Sequence, residues 1–156
     1  MATKLTKNFT LEEFLKSDTA TERKIRNTPT KEAEAHIREL AESLQSIREA
    51  FGNPIKISSG YRCATLNKAV GGATGSQHMI GYAADIKPAA GTMAELKAAI
   101  LEWAKKNKYD QIIMEQCDKN GIPAWIHFGC RHATKGQRGQ ILKAKKVNGI
   151  WQYTAL

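Results

Sequence analysis

The chain has 156 residues, 42% hydrophobic and 25% charged, which fits a soluble globular protein of one domain, residues 1–156, long enough for a real core. No apolar run approaches the ~20 residues that span a bilayer, and three cysteines, an odd number, argue for reduced thiols over a disulfide framework. The formal charge of +9, from 24 Lys and Arg against 15 Asp and Glu, favours an anionic partner or serves solubility alone.

In chain order, Thr10-Leu-Glu-Glu13 has the form of a capping box, with Phe9 and Phe14 as a hydrophobic staple across it, so a short helix starts there. Residues 17–28 are polar, with a helical turn expected around 20–25 and a stop at Pro29. Thr30 then caps a long helix to about Phe51. Ala33, Ile37, Leu40, Ala41, Leu44, Ile47 and Phe51 recur at helical spacing, and Gly52 and Pro54 end the run. His36 falls beside this stripe and reads as a structural or solvated imidazole. Residues 55–57 alternate as a short strand, SSGYR follows as a loop, and residues 63–70 take one or two helical turns. Ala83, Asp85 and Lys87 alternate against Tyr82, Ala84 and Ile86 as another strand. Thr92-Met-Ala-Glu95 is a second capping box. The helix behind it carries Met93, Leu96, Ile100 and Trp103 on one face and is expected to end near Asn107.

Residues 109–115 and 124–129 read as strands, and Asp118-Lys-Asn-Gly121 supplies hairpin turn chemistry between them. Residues 131–138 form a basic surface loop, and Asn148-Gly149 marks a second hairpin. The basic stretch 131–146, with Trp151 and Tyr153 beyond, reads as a solvated face around a packed hairpin or as a binder of an anionic polymer. The expected fold class is α+β, an antiparallel sheet with helices packed on one side.

The chemistry concentrates between residues 58 and 87, SSGYRCATLNKAVGGATGSQHMIGYAADIK. His78 follows a glycine-thinned loop, Gly81 permits a turn, and Asp85 lies on the strand beyond. His127 lies in AWIHFG, on a different strand. Two imidazoles and one carboxylate can hold zinc and leave a fourth position for water. Each residue alone has a plainer reading, a buried histidine bonded to an aspartate. A rival His-Cys-Cys site using Cys117 and Cys130 lacks any C-x-x-C pair, so small buried thiols are the better reading there.

The string S-x-H-x-x-G-x-A-x-D is present as Ser76, His78, Gly81, Ala83 and Asp85. SGYR, LN and VGG precede it; YDQIIME and WIH follow. In this order the motifs resemble those of the zinc D-Ala-D-Ala carboxypeptidases and related murein endopeptidases, whose fold is shared with the Hedgehog signalling domain. The resemblance covers roughly residues 9–129. It implies a Hedgehog/DD-peptidase-like fold, zinc (Zn2+) on His78, Asp85 and His127, Arg62 holding substrate or the developing oxyanion, and Ser76 touching substrate. For Ser76 the alternative is a turn-stabilising hydroxyl.

Many family members place a glutamate three residues before the last histidine. Here that position is Ala124, and Glu115, at the end of YDQIIME, is expected to act as the base instead, as the Hedgehog resemblance implies, where a glutamate at the end of a similar strand lies near the zinc; the alternative is an exposed strand-end charge. Strand faces alternate, so Glu115 shares the face of His127 only if it pairs opposite Trp125, with Ile113 opposite His127. The function so implied is zinc-dependent hydrolysis of an amide bond in peptidoglycan stem peptides, as a carboxypeptidase or an endopeptidase. The expected partners are that peptide substrate and an anionic cell envelope, with no nucleic acid and no membrane span, and the expected state is a monomer. MATKLTKNFT lacks an apolar segment of signal-peptide length. Synthesis in the cytoplasm, followed by phage-mediated or holin-type release to the wall, is therefore expected. The alternative is a zinc-containing cell-wall binding module that has lost catalysis, which Ala124 allows.

Overall fold

The computed structural model describes residues 2–156. Its elements run α1 (Leu11–Leu15), α2 (Asp18–Glu22), α3 (Lys31–Phe51), β1 (Ile55–Ser59), α4 (Ala64–Ala69), a 3-10 turn (Gln77–Ile80), β2 (Ala83–Pro88), α5 (Met93–Ala104), β3 (Gln111–Glu115), β4 (Trp125–Gly129), β5 (Gln140–Val147) and β6 (Ile150–Ala155). The local signals act as expected. Capping boxes at Thr10 and Thr92 open α1 and α5, Thr30 accepts from the Ala33 N–H to open α3, and Gly52 closes α3 at φ 79°. The Phe9 and Phe14 rings pack 6.1 Å apart, both buried. Two ends shift. Helix α2 begins earlier than expected, because Ser17 Oγ accepts from the Ala20 N–H. Helix α5 stops short of Asn107, whose side chain donates to the Trp103 carbonyl at 2.8 Å.

The six strands lie in the order β1-β2-β4-β3-β5-β6. Every neighbouring pair is antiparallel except β3–β5, which is parallel, so the sheet is mixed and not antiparallel as expected. Both predicted hairpins form. Turn chemistry is local, however, and says nothing about how two hairpins join. Here residues 130–139 pass the start of β3, and β5 enters on its far side. The junction is pinned by Asp110, which is fully buried. Arg138 donates to its carboxylate from Nε at 2.7 Å and Nη2 at 2.9 Å, and the Asp110 carbonyl accepts from the Gln140 N–H at 2.9 Å. Removing the charge from one member of a buried pair strands the other. Arg138 is partly exposed, so Asp110→Asn should cost about 1–3 kcal/mol, read as a lower urea midpoint at unchanged m-value. Glu102→Gln, which breaks the exposed pair with Lys105, should leave the midpoint in place.

One face of the sheet carries Ala84, Ile86, Ile112, Met114, Ile126 and Phe128, all fully buried with α3 and α5 in one core. Burying each Ile or Phe contributes about 1.5–3 kcal/mol. The alternate residues, among them Asp85, Ile113, Glu115 and His127, point to the other face. That face is the floor of a cleft. Against expectation the helices are not all on one side. Helix α3 and helix α5 cover the apolar face, while α2, α4 and the 3-10 turn wall the cleft opposite them. These short segments carry few apolar positions of their own and cannot cover a sheet face. No helix among the described residues is long and apolar enough to cross a membrane.

Candidate metal centre and its cleft

Strand β2 pairs with β4 so that Asp85 stands opposite His127, both on the cleft face. His78 reaches the same point from the 3-10 turn. Ser76 Oγ opens that turn by accepting the His78 N–H at 3.2 Å, and the residue also lines the cleft. Gly81 closes the turn at φ 87°, and a Cβ there would lie 2.5 Å from the Ala33 carbonyl oxygen, so only glycine lets the turn sit against α3.

His78 is buried, and its Nδ1 lies 2.7 Å from the Gly60 carbonyl oxygen. A carbonyl can only accept, so Nδ1 carries the proton and Nε2 presents its lone pair. That Nε2 faces Asp85 Oδ1 at 3.4 Å, and His127 Nδ1 lies 3.2 Å from the same oxygen. Burial lowers the pKa of His78 and favours the neutral ring. Burial also works against the charge on Asp85, but the neighbouring imidazoles outweigh it and hold the carboxyl well below the usual carboxylate range. A neutral Nε2 facing a carboxylate oxygen is two acceptors turned on one point, an arrangement that a cation between them resolves. The three donors lie within 4.8 Å of one another. The short separations match the ~3.3 Å edge of a tetrahedron with ~2.0 Å bonds, and the Gly60 bond is the outer support that orients a ligating imidazole. The donor set fits zinc and leaves one position open. Cys117 and Cys130 belong to no such group among the described residues.

Glu115 stands opposite Trp125, and Ile113 opposite His127, the register that turns Glu115 to the face of His127 and Asp85. The loop 116–124 absorbs the long spacing between Glu115 and His127. Ala124 stays outside β4 and donates its N–H to the Glu115 carbonyl at 2.8 Å. Glu115 is only 7% exposed. Burial pushes its carboxyl up to about 7, with His127 opposing and the charge of Asp85 adding.

Arg62 donates from Nη1 to Asn67 Oδ1 at 2.9 Å and from Nε to Ser59 Oγ at 3.3 Å, while Nη2 lies 3.9 Å from Asp85 Oδ2. Asn67 is buried and donates in turn to the Ala73 carbonyl at 2.9 Å. A Cβ on Gly72 would overlap both Asn67 Oδ1 and Arg62 Nη1, so this glycine is what lets the guanidinium lie here. In the sequence Asn67 stands only in the LN pair, and no pattern around it signals a role. Two other histidines stay outside the centre. His36 stacks on Tyr82 at 3.8 Å with Nδ1 on the Ile80 carbonyl, and His132 accepts turn N–H groups from Thr134 and Lys135. The cleft, about 1160 Å³, runs from the glycine loop at 71–75 past the three donors to Trp151 and Tyr153.

Three metal donors with an open side, and a second buried carboxylate beside them in a cleft, are the arrangement of a metallohydrolase. The chain belongs to the Peptidase M15 family, whose profile matches residues 7–122. Over 71 residues, 45% of its length, it is 37% identical to the zinc D-Ala-D-Ala carboxypeptidase of Streptomyces albus G. The matched stretch is 26% of that protein, so the chain spans about a quarter of this relative's length. The family match takes in Arg62, Ser76, His78, Asp85 and Glu115. His127 lies beyond it and joins the set through the register of β4.

Proposed function

We propose that this chain is a zinc peptidase that hydrolyses an amide bond in peptidoglycan stem peptides. The observation that carries this reading is the convergence of His78, Asp85 and His127 with Glu115 on one sheet face, in a chain of the Peptidase M15 family. Zinc, when bound, would supply Lewis acidity, polarising the amide carbonyl and making water a better nucleophile near neutral pH. His78, Asp85 and His127 would hold the metal. Glu115, buried on the face of the metal donors, accepts a proton from the attacking water and returns it to the leaving nitrogen. Arg62, permanently charged and fixed by Asn67 and Ser59, steadies the oxyanion that forms on the carbonyl. Ser76 uses an oxygen lone pair in its turn and keeps its hydroxyl proton for a substrate carbonyl. Stem peptides carry carboxylates, and the +9 charge draws such a substrate and its envelope toward the chain.

Digestion of purified cell walls tests the reading. New amino groups should appear with zinc present and fail to appear after chelation, and fragment masses would name the bond. Walls that retain the protein but yield no amino groups would transfer the assignment to a binding module.

A further inference from the structure

Beyond Glu115 the cleft floor changes character. A row crosses four strands there: Trp125, Glu115, Ala144 and Tyr153, each paired with the next. One step on, Trp151 stands opposite Lys146, with the ammonium 6.0 Å from the indole centre. The Trp125 and Trp151 rings meet edge to face at 6.3 Å, and Tyr153 is 54% exposed. Of the chain's three tryptophans, Trp103 is buried in the core against Phe128, while the other two stand on the cleft face. Open aromatic rings beside a cation, continuous with a catalytic cleft, mark a binding surface rather than a packing one.

The floor also says what fits. Strands β4, β3 and β5 each have neighbours on both sides, so their main-chain groups are taken up within the sheet. Between the rings and the metal donors lie Glu115 and the apolar side chains of Ile113, Leu142 and Ala144. An extended peptide laid here would find no strand edge to pair with. A pyranose ring meets no such difficulty. Its C–H face lies on an aromatic ring, and its hydroxyl and acetamido groups turn to water, to the Lys146 ammonium and to the Tyr153 hydroxyl. The opposite end of the cleft, with Arg62 and Ser76, is the polar end that suits a peptide.

We propose that Trp125, Trp151 and Tyr153 form a subsite for the N-acetylated amino-sugar rings of the glycan strand that carries the scissile peptide. The proposal rests on the peptidoglycan reading above for its substrate. Hydrolysis of a disaccharide-bearing stem peptide is compared with that of the same peptide freed of sugar. Trp151→Ala and Tyr153→Ala should lower kcat/KM on the glycan-bearing substrate about tenfold, the scale of one lost aromatic contact. The loss should fall mainly in KM, and the bare peptide should be cleaved as before. Equal losses on both substrates, or no loss on either, would overturn the subsite. Should Trp151→Ala unfold by removing the ring packed on Trp125, Tyr153→Ala, at an exposed residue, decides alone. Titration with N-acetylglucosamine oligomers, read by tryptophan fluorescence, gives a second test independent of hydrolysis. A saturable response in the wild type that weakens in Tyr153→Ala supports the subsite; no response in the wild type sinks it. If the wild type cleaves neither peptide, the peptidase reading has failed, and the sugar titration still decides the subsite.

Discussion

Glu115→Gln should keep the fold and the zinc, lose hydrolysis by about 10²–10⁴-fold, and make the metal-free protein more stable at neutral pH. The kinetic loss is that of a general base. The gain in stability follows from linkage. The folded carboxyl titrates at about 7, above its ordinary value of 4.5, because burial penalises its charged form. Below the unfolded value both states hold the proton and Glu115 costs nothing. As pH rises from there toward 7 the unfolded chain releases its proton first, and stability falls. Above 7 the full cost is present, on the order of 3 kcal/mol. Glutamine has no proton to lose. Chelated wild type and variant should therefore differ in denaturation midpoint at pH 8 and converge near pH 4. A variant that cleaves normally is not missing its base, and curves that stay together at pH 8 would mean Glu115 is not held in a desolvated position.

What could be read from the residues alone follows the range of each signal. Helix starts at Thr10, Thr30 and Thr92 and the stop at Gly52 depend on atoms three or four residues away, and all four fall where the capping chemistry puts them. The β3–β4 register was legible for a different reason. Parity alone separates the pairings that put Glu115 and His127 on one face from those that do not, and the observed pairing has the required parity. The parallel junction was not legible, since it hangs on Asp110 and Arg138, 28 residues apart, with no periodic or turn signal linking them. The same holds for Asn67, whose role depends on Arg62 and on the space left by Gly72. Residues 131–146 read as one basic stretch. Folding gives its charges separate tasks, Arg131 on Glu39, Arg138 on Asp110 and Lys146 beside Trp151.

Asp85→Asn should abolish zinc binding while leaving the fold in place. Asparagine matches aspartate in shape, so β2 and its pairing with β4 lose no packing. What changes is charge at the point where everything converges. Both imidazoles face Asp85 Oδ1, and Arg62 approaches Oδ2 at 3.9 Å. Without the carboxylate a divalent cation would meet two neutral imidazoles, an amide and an uncompensated guanidinium. Losing one outer-shell support of a metal ligand costs about 10–100-fold in affinity, and losing the only anionic ligand should cost more. Elemental analysis after dialysis against a weak chelator should find about one zinc per chain in the wild type and close to none in the variant. Added zinc should raise the melting temperature of the wild type, with about 2.7 kcal/mol of stabilisation at a hundred times Kd, and leave that of the variant unmoved. Hydrolysis should fall steeply in both Asp85→Asn and Glu115→Gln, but only the glutamine variant should still hold metal, which separates the ligand from the base. An asparagine variant that retains stoichiometric zinc would remove Asp85 from the ligand set. The facing of His78 Nε2 and Asp85 Oδ1 would then require a proton on that nitrogen in place of a metal, which the ¹⁵N shifts of His78 in the metal-free protein would reveal.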